Sequence, residues 1–251
     1  MAPPATSIEP AWIELGLLAA LTAAYIRAQR RFPASRPRRI AFGAGCLIAA
    51  ALFLTPLETL SRHYLLSAHL FQNIALAEWV PLLLAIGLGP VLARRLGALP
   101  VLRVLTRPCV ALPTWILTYA AWHVPISYET ALAHPNSLLA LEHATYLLVG
   151  LLLWWPVLYR ESWEGRSGVK AIYIFLAFVL SGPIGLVFVL FPDAVYGFYA
   201  DAPRLRGLSA IADQRIAGIL MSLGEAIVFF AAFIVFFTRF LAEEDRRDQA
   251  P

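Results

Sequence analysis

The stretch AIYIFLAFVLSGPIGLVFVLF (171–191) runs for 21 residues without a charge. A helix on the surface of a soluble protein keeps one polar face, and this stretch has none. Its length meets the roughly 20 residues that a helix needs to cross a hydrocarbon core of about 30 Å. Six more apolar runs stand at 11–27, 40–57, 64–89, 109–124, 138–159 and 216–238. The run at 109–124 is the shortest. The run at 64–89 holds Pro81, Gly87 and Gly89, which predict a kink or an unwound turn toward its end. The fold class expected is all-α: one polytopic membrane domain over residues 1–251, with seven transmembrane helices.

Composition agrees. Of the 251 residues, 60% are hydrophobic and 14% charged, with mean hydropathy +0.70. A soluble domain carries about a quarter charged residues, so too little polar side chain is present to cover a water-facing surface. That excludes a soluble enzyme and a disordered chain, and it makes membrane lipid the first partner. Seven Trp, nine Tyr and fifteen Phe suit the two membrane interfaces. The net charge of +4 comes from 19 Arg and a single Lys, in short clusters between the apolar runs. Such clusters read as topology anchors and not as a nucleic-acid surface. Cys46 and Cys109 form no disulfide framework. Without a nucleophile elbow or a zinc-protease HExxH, no catalytic role is expected.

Orientation follows from the cations. Sixteen of the twenty Arg and Lys residues flank the spans on one side: six within RAQRRFPASRPRR (27–39), then Arg94, Arg95, Arg103, Arg107, Arg160, Arg166, Lys170, Arg239, Arg246 and Arg247. Arg62, Arg204, Arg206 and Arg215 lie on the other. The positive-inside rule then predicts an N-terminus outside and a C-terminus in the cytoplasm of a cell inner membrane. The opening MAPPATSIEPAW has no basic residue, and Arg27, Arg30 and Arg31 follow its run. That order is the reverse of a secretory signal and predicts a first span that stays.

This topology sets all five histidines, His63, His69, His123, His134 and His143, on or just below the outer face. Neutral imidazole binds transition metals, copper among them. Met221 lies about one and a half turns into the seventh span, at a depth like that of His69, and copper(I) accepts thioether sulfur. His69 and Asn73 are spaced i, i+4 and share a helix face. Histidine and tyrosine also serve as interfacial anchors, and a methionine on an apolar helix also packs. Four acids fall within spans: Glu14, Glu78, Glu142 and Glu225. Ionisable groups there default to function. Glu142 sits near the outer boundary, where water can solvate it. Glu78 and Glu225 lie deeper, as helix-to-helix hydrogen-bonding groups or as part of a transport path for copper or another small solute.

Three segments together carry a resemblance: SAHLFQNIALAEWVPLLLAIGLGP (67–90), AWHVPISYETALAHPNSLLALEHATYLLVGLLLWWPV (121–157) and DQRIAGILM (213–221). They resemble the CtaG family of cytochrome c oxidase assembly factors, the multi-span type of caa3-type oxidases. The resemblance implies seven spans, cytochrome c oxidase subunits as partners, and copper handling. The family's third-span H-M-x-x-H pattern falls on His69, Leu70 and Asn73. Its LEH histidine is His143, and its DQ and Met elements are Asp213, Gln214 and Met221. The candidate copper ligands are therefore His69, His143, Met221 and His123, with Asp213, Gln214 and Asn73 around them. Asp213 has a second expected role as a helix cap. Two losses from the histidine pattern favour a rival reading, a metal-free membrane scaffold for oxidase subunits.

Overall fold

The computed structural model describes residues 2–249. Each of the seven apolar runs folds as helix, and no strand occurs among the described residues. The longer helices are α1 (Trp12–Gln29), α2 (Arg36–Leu54), α4 (Leu66–Leu88), α7 (Pro108–His123), α9 (Pro135–Tyr159), α10 (Ser167–Leu190) and α12 (Ala210–Asp248). Short helices join them: α3 (Pro56–His63), α5 (Pro90–Gly97), α6 (Pro100–Leu105), α8 (Pro125–Ala133) and α11 (Gly197–Asp201). Six helices open on proline, at positions 56, 90, 100, 108, 125 and 135. Proline costs nothing at a first helical position and forces the residue before it into extended backbone. The chain is thereby cut into spans and short connecting helices.

Five helices are long and apolar enough to cross a membrane: α2, α4, α9, α10 and α12. A sixth counts if α7 and α8, bent by 72° where they meet, make one broken span. α7 alone has 16 residues. α1 falls short because Glu14, Thr22, Arg27 and Gln29 dilute its 18 residues. The expectation of seven therefore meets five or six helices that qualify by length and apolarity, in an all-helical, multi-pass arrangement. Large apolar side chains such as Leu47, Leu117, Ile172 and Ile227 point outward from it, as lipid-facing residues do.

α4 is the central helix. Of its most apolar window 72% is buried, against 22% for α12 and 33% for α10. α2 packs on its second half, α12 on its first half, and α9 along its middle. Pro81 has no N–H to return to the carbonyl of Ala77, so continuing the helix needs an adjustment. The backbone widens into a π-turn over Ala77 and its neighbours, Ala75–Trp79. The freed carbonyls are then satisfied from outside: Trp115 Nε1 donates to Ala77 O at 3.2 Å and Trp154 Nε1 to Glu78 O at 3.0 Å. Trp79 Nε1 reaches Gly224 O at 3.2 Å and ties α12 to the same place. The helix thus bends its hydrogen-bond pattern before Pro81 without unwinding, and ends at Gly89, whose φ of 76° favours glycine.

Gly150 of α9 makes the closest approach to this turn. A Cβ there would overlap the Ala77 carbonyl oxygen and meet Pro81 Cγ at 2.5 Å. Small residues at helix contacts let backbones approach where no hydrophobic force acts between helices. Besides a small cluster of Tyr25, Phe42, Ala49, Val80 and Leu84, two larger apolar clusters make up the core. One joins the first halves of α4 and α12 with Tyr128, Tyr146, Phe188, Tyr196 and Tyr199. The other joins Ala85, Trp115, Trp154, Ala171 and Phe236. They define a histidine end and an arginine end of the bundle.

Gly150→Val is expected to lower the midpoint of thermal unfolding in detergent, at an overpacking cost of about 1–3 kcal/mol. Gly16→Val adds its Cβ where nothing lies within 4 Å, and should leave the midpoint unchanged. Equal midpoints for the two variants would contradict the close approach.

Candidate metal centre

His69 sits in the first turns of α4 and is 1% exposed. Its Nδ1 lies 2.9 Å from the hydroxyl of Tyr199. That hydroxyl donates its proton to the carbonyl of Ser61, so it accepts from the ring, and the His69 proton sits on Nδ1. His143, in α9, has Nδ1 3.0 Å from Glu14 Oε1; a carboxylate accepts, which fixes the same tautomer. In both rings Nε2 is the nitrogen left without a partner. Metal-binding histidines are held this way, with one nitrogen oriented by an acceptor and the other left for the ion. The two ring centroids are 6.2 Å apart.

Glu142 completes the cluster. The sequence places it near water, and the structure buries it fully beside Asn73 and His69 of α4. Asn73 Nδ2 donates to its Oε1 at 3.0 Å. The same Oε1 lies 3.8 Å from His69 Nε2, and Glu142 Oε2 has no partner. A bare imidazole nitrogen thus faces a carboxylate with no donor between them. Buried acceptors left in this way are costly unless a proton or a cation joins them. The donor set of imidazole nitrogen beside one carboxylate fits a transition-metal cation. Among the described residues, no group of three or more His, Cys, Asp or Glu is arranged to hold a metal ion. The approach shown is that of one imidazole nitrogen to one carboxylate, with a second imidazole ring 6.2 Å from the first, and not a three- or four-ligand cage.

His123, Met221, Asp213 and Gln214 are buried as well. His123 is buried, with Nδ1 donating to Tyr119 O at 2.7 Å and Nε2 without a partner. It shares a neighbour with His69, the ring of Tyr128, at 6.2 Å and 4.7 Å respectively. Met221 is fully buried in the apolar cluster that also contains Leu70, Tyr128 and Tyr199. Asp213 caps a helix, though not its own. It accepts from Leu66 N at 2.7 Å and from Ser67 N and Oγ at 3.3 and 2.5 Å, and so fixes the start of the helix that carries His69. Ser209 caps α12 instead. Gln214 ties the loop before α11, accepting from Val195 N at 2.7 Å and donating to Asp193 O at 3.0 Å. His63 pairs with Glu9 at 2.8 Å and His134 is exposed; neither joins the cluster.

Deeper in the bundle, Glu225 accepts from Ser181 Oγ at 3.0 Å and from Tyr119 Oη at 3.4 Å. Both oxygens of Glu78 are buried without a partner. Between the spans, Glu58 in α3 is buried, which holds its carboxyl above the usual carboxylate range although His143, Gln72 and Arg62 oppose the shift. Gln72 Nε2 donates to it at 2.9 Å, so α3 is held over the histidine end.

Sequence reasoning missed Tyr199, Tyr128 and Ser61, and left Glu14 without a partner. Only a charge inside a span pointed to Glu14, and nothing in the sequence pointed to the tyrosines. A family model described as cytochrome c oxidase caa3 assembly factor (Caa3_CtaG) matches residues 19–243. No curated protein and no solved structure matches the chain. The matched stretch takes in His69, Asn73, Glu142, His143 and Met221, and with them nearly all of the helical bundle. The chain belongs to the Caa3_CtaG family of cytochrome c oxidase caa3 assembly factors.

Proposed function

We propose that this protein serves assembly of cytochrome c oxidase in a bacterial inner membrane by holding copper(I) as cargo between His69 and His143. The observation that carries the reading is the pair of buried imidazoles, centroids 6.2 Å apart, whose bare Nε2 atoms have no partner. Copper(I) is soft and accepts imidazole and thioether ligands, so Met221 in the same buried layer is the third ligand proposed. His123, beyond Tyr128, is the fourth residue of that layer and an entry or exit ligand. Glu142 supplies the negative charge that a cation needs in a dry site. Asn73 holds that carboxylate, and Glu14 and Tyr199 hold the two rings. An open set of ligands suits cargo, because an incoming ligand can displace one imidazole without dismantling a cage.

The topology proposed is seven spans, with α1 and the α7–α8 pair crossing as well. The N-terminus is outside and the C-terminus cytoplasmic, which puts the histidine end at the outer leaflet. The cation asymmetry supports it. A reporter fused after Arg247 is expected to be active only in the cytoplasm. Periplasmic activity of that fusion would overturn the orientation.

A second reading is a metal-free scaffold that binds oxidase subunits through its spans. It is favoured by the lack, among the described residues, of a three-ligand group. A gene-deletion strain complemented at limiting copper separates the two. Deletion is expected to lower assembled cytochrome c oxidase more than other respiratory complexes. The wild-type gene should restore it. His69→Ala/His143→Ala should restore several-fold less, and added copper should narrow the gap. Full restoration by the double variant would favour the scaffold, and unchanged oxidase in the deletion strain would remove the assembly role itself.

A further inference from the structure

The arginine end carries a site of its own. A cleft of about 410 Å³ opens where α5, α6 and the end of α9 meet, lined by Arg94, Arg103 and Arg160 together with Gly97, Trp155 and Glu161. The lining thus holds three arginines and one acid. None of the three arginines has a carboxylate within 4.0 Å among the described residues. Arg160 Nε is buried without a partner. Arg103 gives one N–H to Ala98 O at 3.3 Å and keeps the rest. A Cβ on Gly97 would stand 3.7 Å from Trp155 Nε1, so the absence of a side chain there leaves the indole edge open to the cleft. The hydroxyl of Tyr159 is already given to Ala85 O at 2.6 Å and forms a wall.

We propose that this cleft binds the phosphate of an anionic phospholipid. Guanidinium groups match phosphate oxygens with paired N–H donors. Unpaired cations around a half-enclosed cleft are stabilised by such an anion. The surroundings select a lipid over free phosphate: Val91, Leu99, Val101 and Val104, on α5, α6 and the turn between them, are all exposed, beside spans that themselves face lipid. A ligand with acyl chains covers these residues and a free anion does not. Trp155 and Tyr159, packed at 5.4 Å, sit where aromatic residues meet headgroups. Basic pockets between spanning helices take acidic headgroups for this reason. The site is independent of the copper reading and shares no residue with it.

The test is native mass spectrometry of the full chain after exchange into phosphatidylcholine, with and without phosphatidylglycerol. Preferential retention of phosphatidylglycerol is expected, by about fivefold for each arginine engaged. Arg94→Gln/Arg103→Gln/Arg160→Gln should abolish the preference, whereas Arg246→Gln/Arg247→Gln, on the distant tail, should keep it. Gly97→Leu keeps every charge and fills the cleft, so it should weaken retention too and decides the matter if the triple variant does not fold. Inorganic phosphate in large excess should not displace the lipid. A preference unchanged in the triple variant or in Gly97→Leu, or lost equally in the tail variant, would overturn the proposal. Displacement by inorganic phosphate would overturn it in favour of a free-anion site.

Discussion

A bilayer offers no water to a polar group, so every N–H, carbonyl and charge inside it needs a partner from the protein. α4 concentrates that demand. It carries His69, Gln72, Asn73 and Glu78, all buried, and a proline that frees the Ala77 carbonyl. The neighbours are arranged around those needs. Trp115 of α7, Trp154 of α9 and Trp79 itself close the π-turn by hydrogen bonds. Asp213 of α12 covers the first N–H groups of α4. Gly150 lets α9 reach the turn, and Asn73 meets Glu142 across the same contact. Removing α4 from this account would leave the remaining helices with few reasons to adopt their places.

The histidine end uses the same rule with one exception left standing. In His69, His123 and His143 Nδ1 has a hydrogen-bond partner and Nε2 has none. Orphaned polar atoms recur at Glu142 and Asn73 within the same few residues. Tyr199, Glu14 and the Tyr119 carbonyl orient the three rings, which also pack against Tyr128, Phe53 and Phe188. The arginine end shows the same economy on a charged surface: cations gather around a cleft and lack acids to pair with.

Much of the fold was legible in the sequence, because apolar length reports a span directly. All seven runs are helices. The count was less legible. α1 mixes two charges into its length and α7 breaks at Pro125, so hydropathy alone separates them poorly from connecting helices. The π-turn was invisible, since Pro81 announces a disturbance while the indole donors that absorb it lie in other helices. At the candidate site, His69 and His143 shared a predicted depth and do approach one another. Their fixing partners could not be read: Glu14 and His143 are 129 positions apart, and His69 and Tyr199 are 130. Glu142 looked like a boundary residue from its place in the run, and only tertiary packing buries it. Asp213 was legible as a cap, but the helix it caps is 146–147 positions away.

The proposed function requires one copper ion to be bound by the Nε2 atoms of both His69 and His143. X-ray absorption at the copper edge, on full-length protein loaded anaerobically with copper(I) and desalted, measures it most directly. Stoichiometric copper is expected, with imidazole scattering from nitrogens at about 2 Å, reduced by His69→Ala and by His143→Ala singly and lost in the double variant. A shell without imidazole scattering, or one unchanged in the double variant, would contradict it.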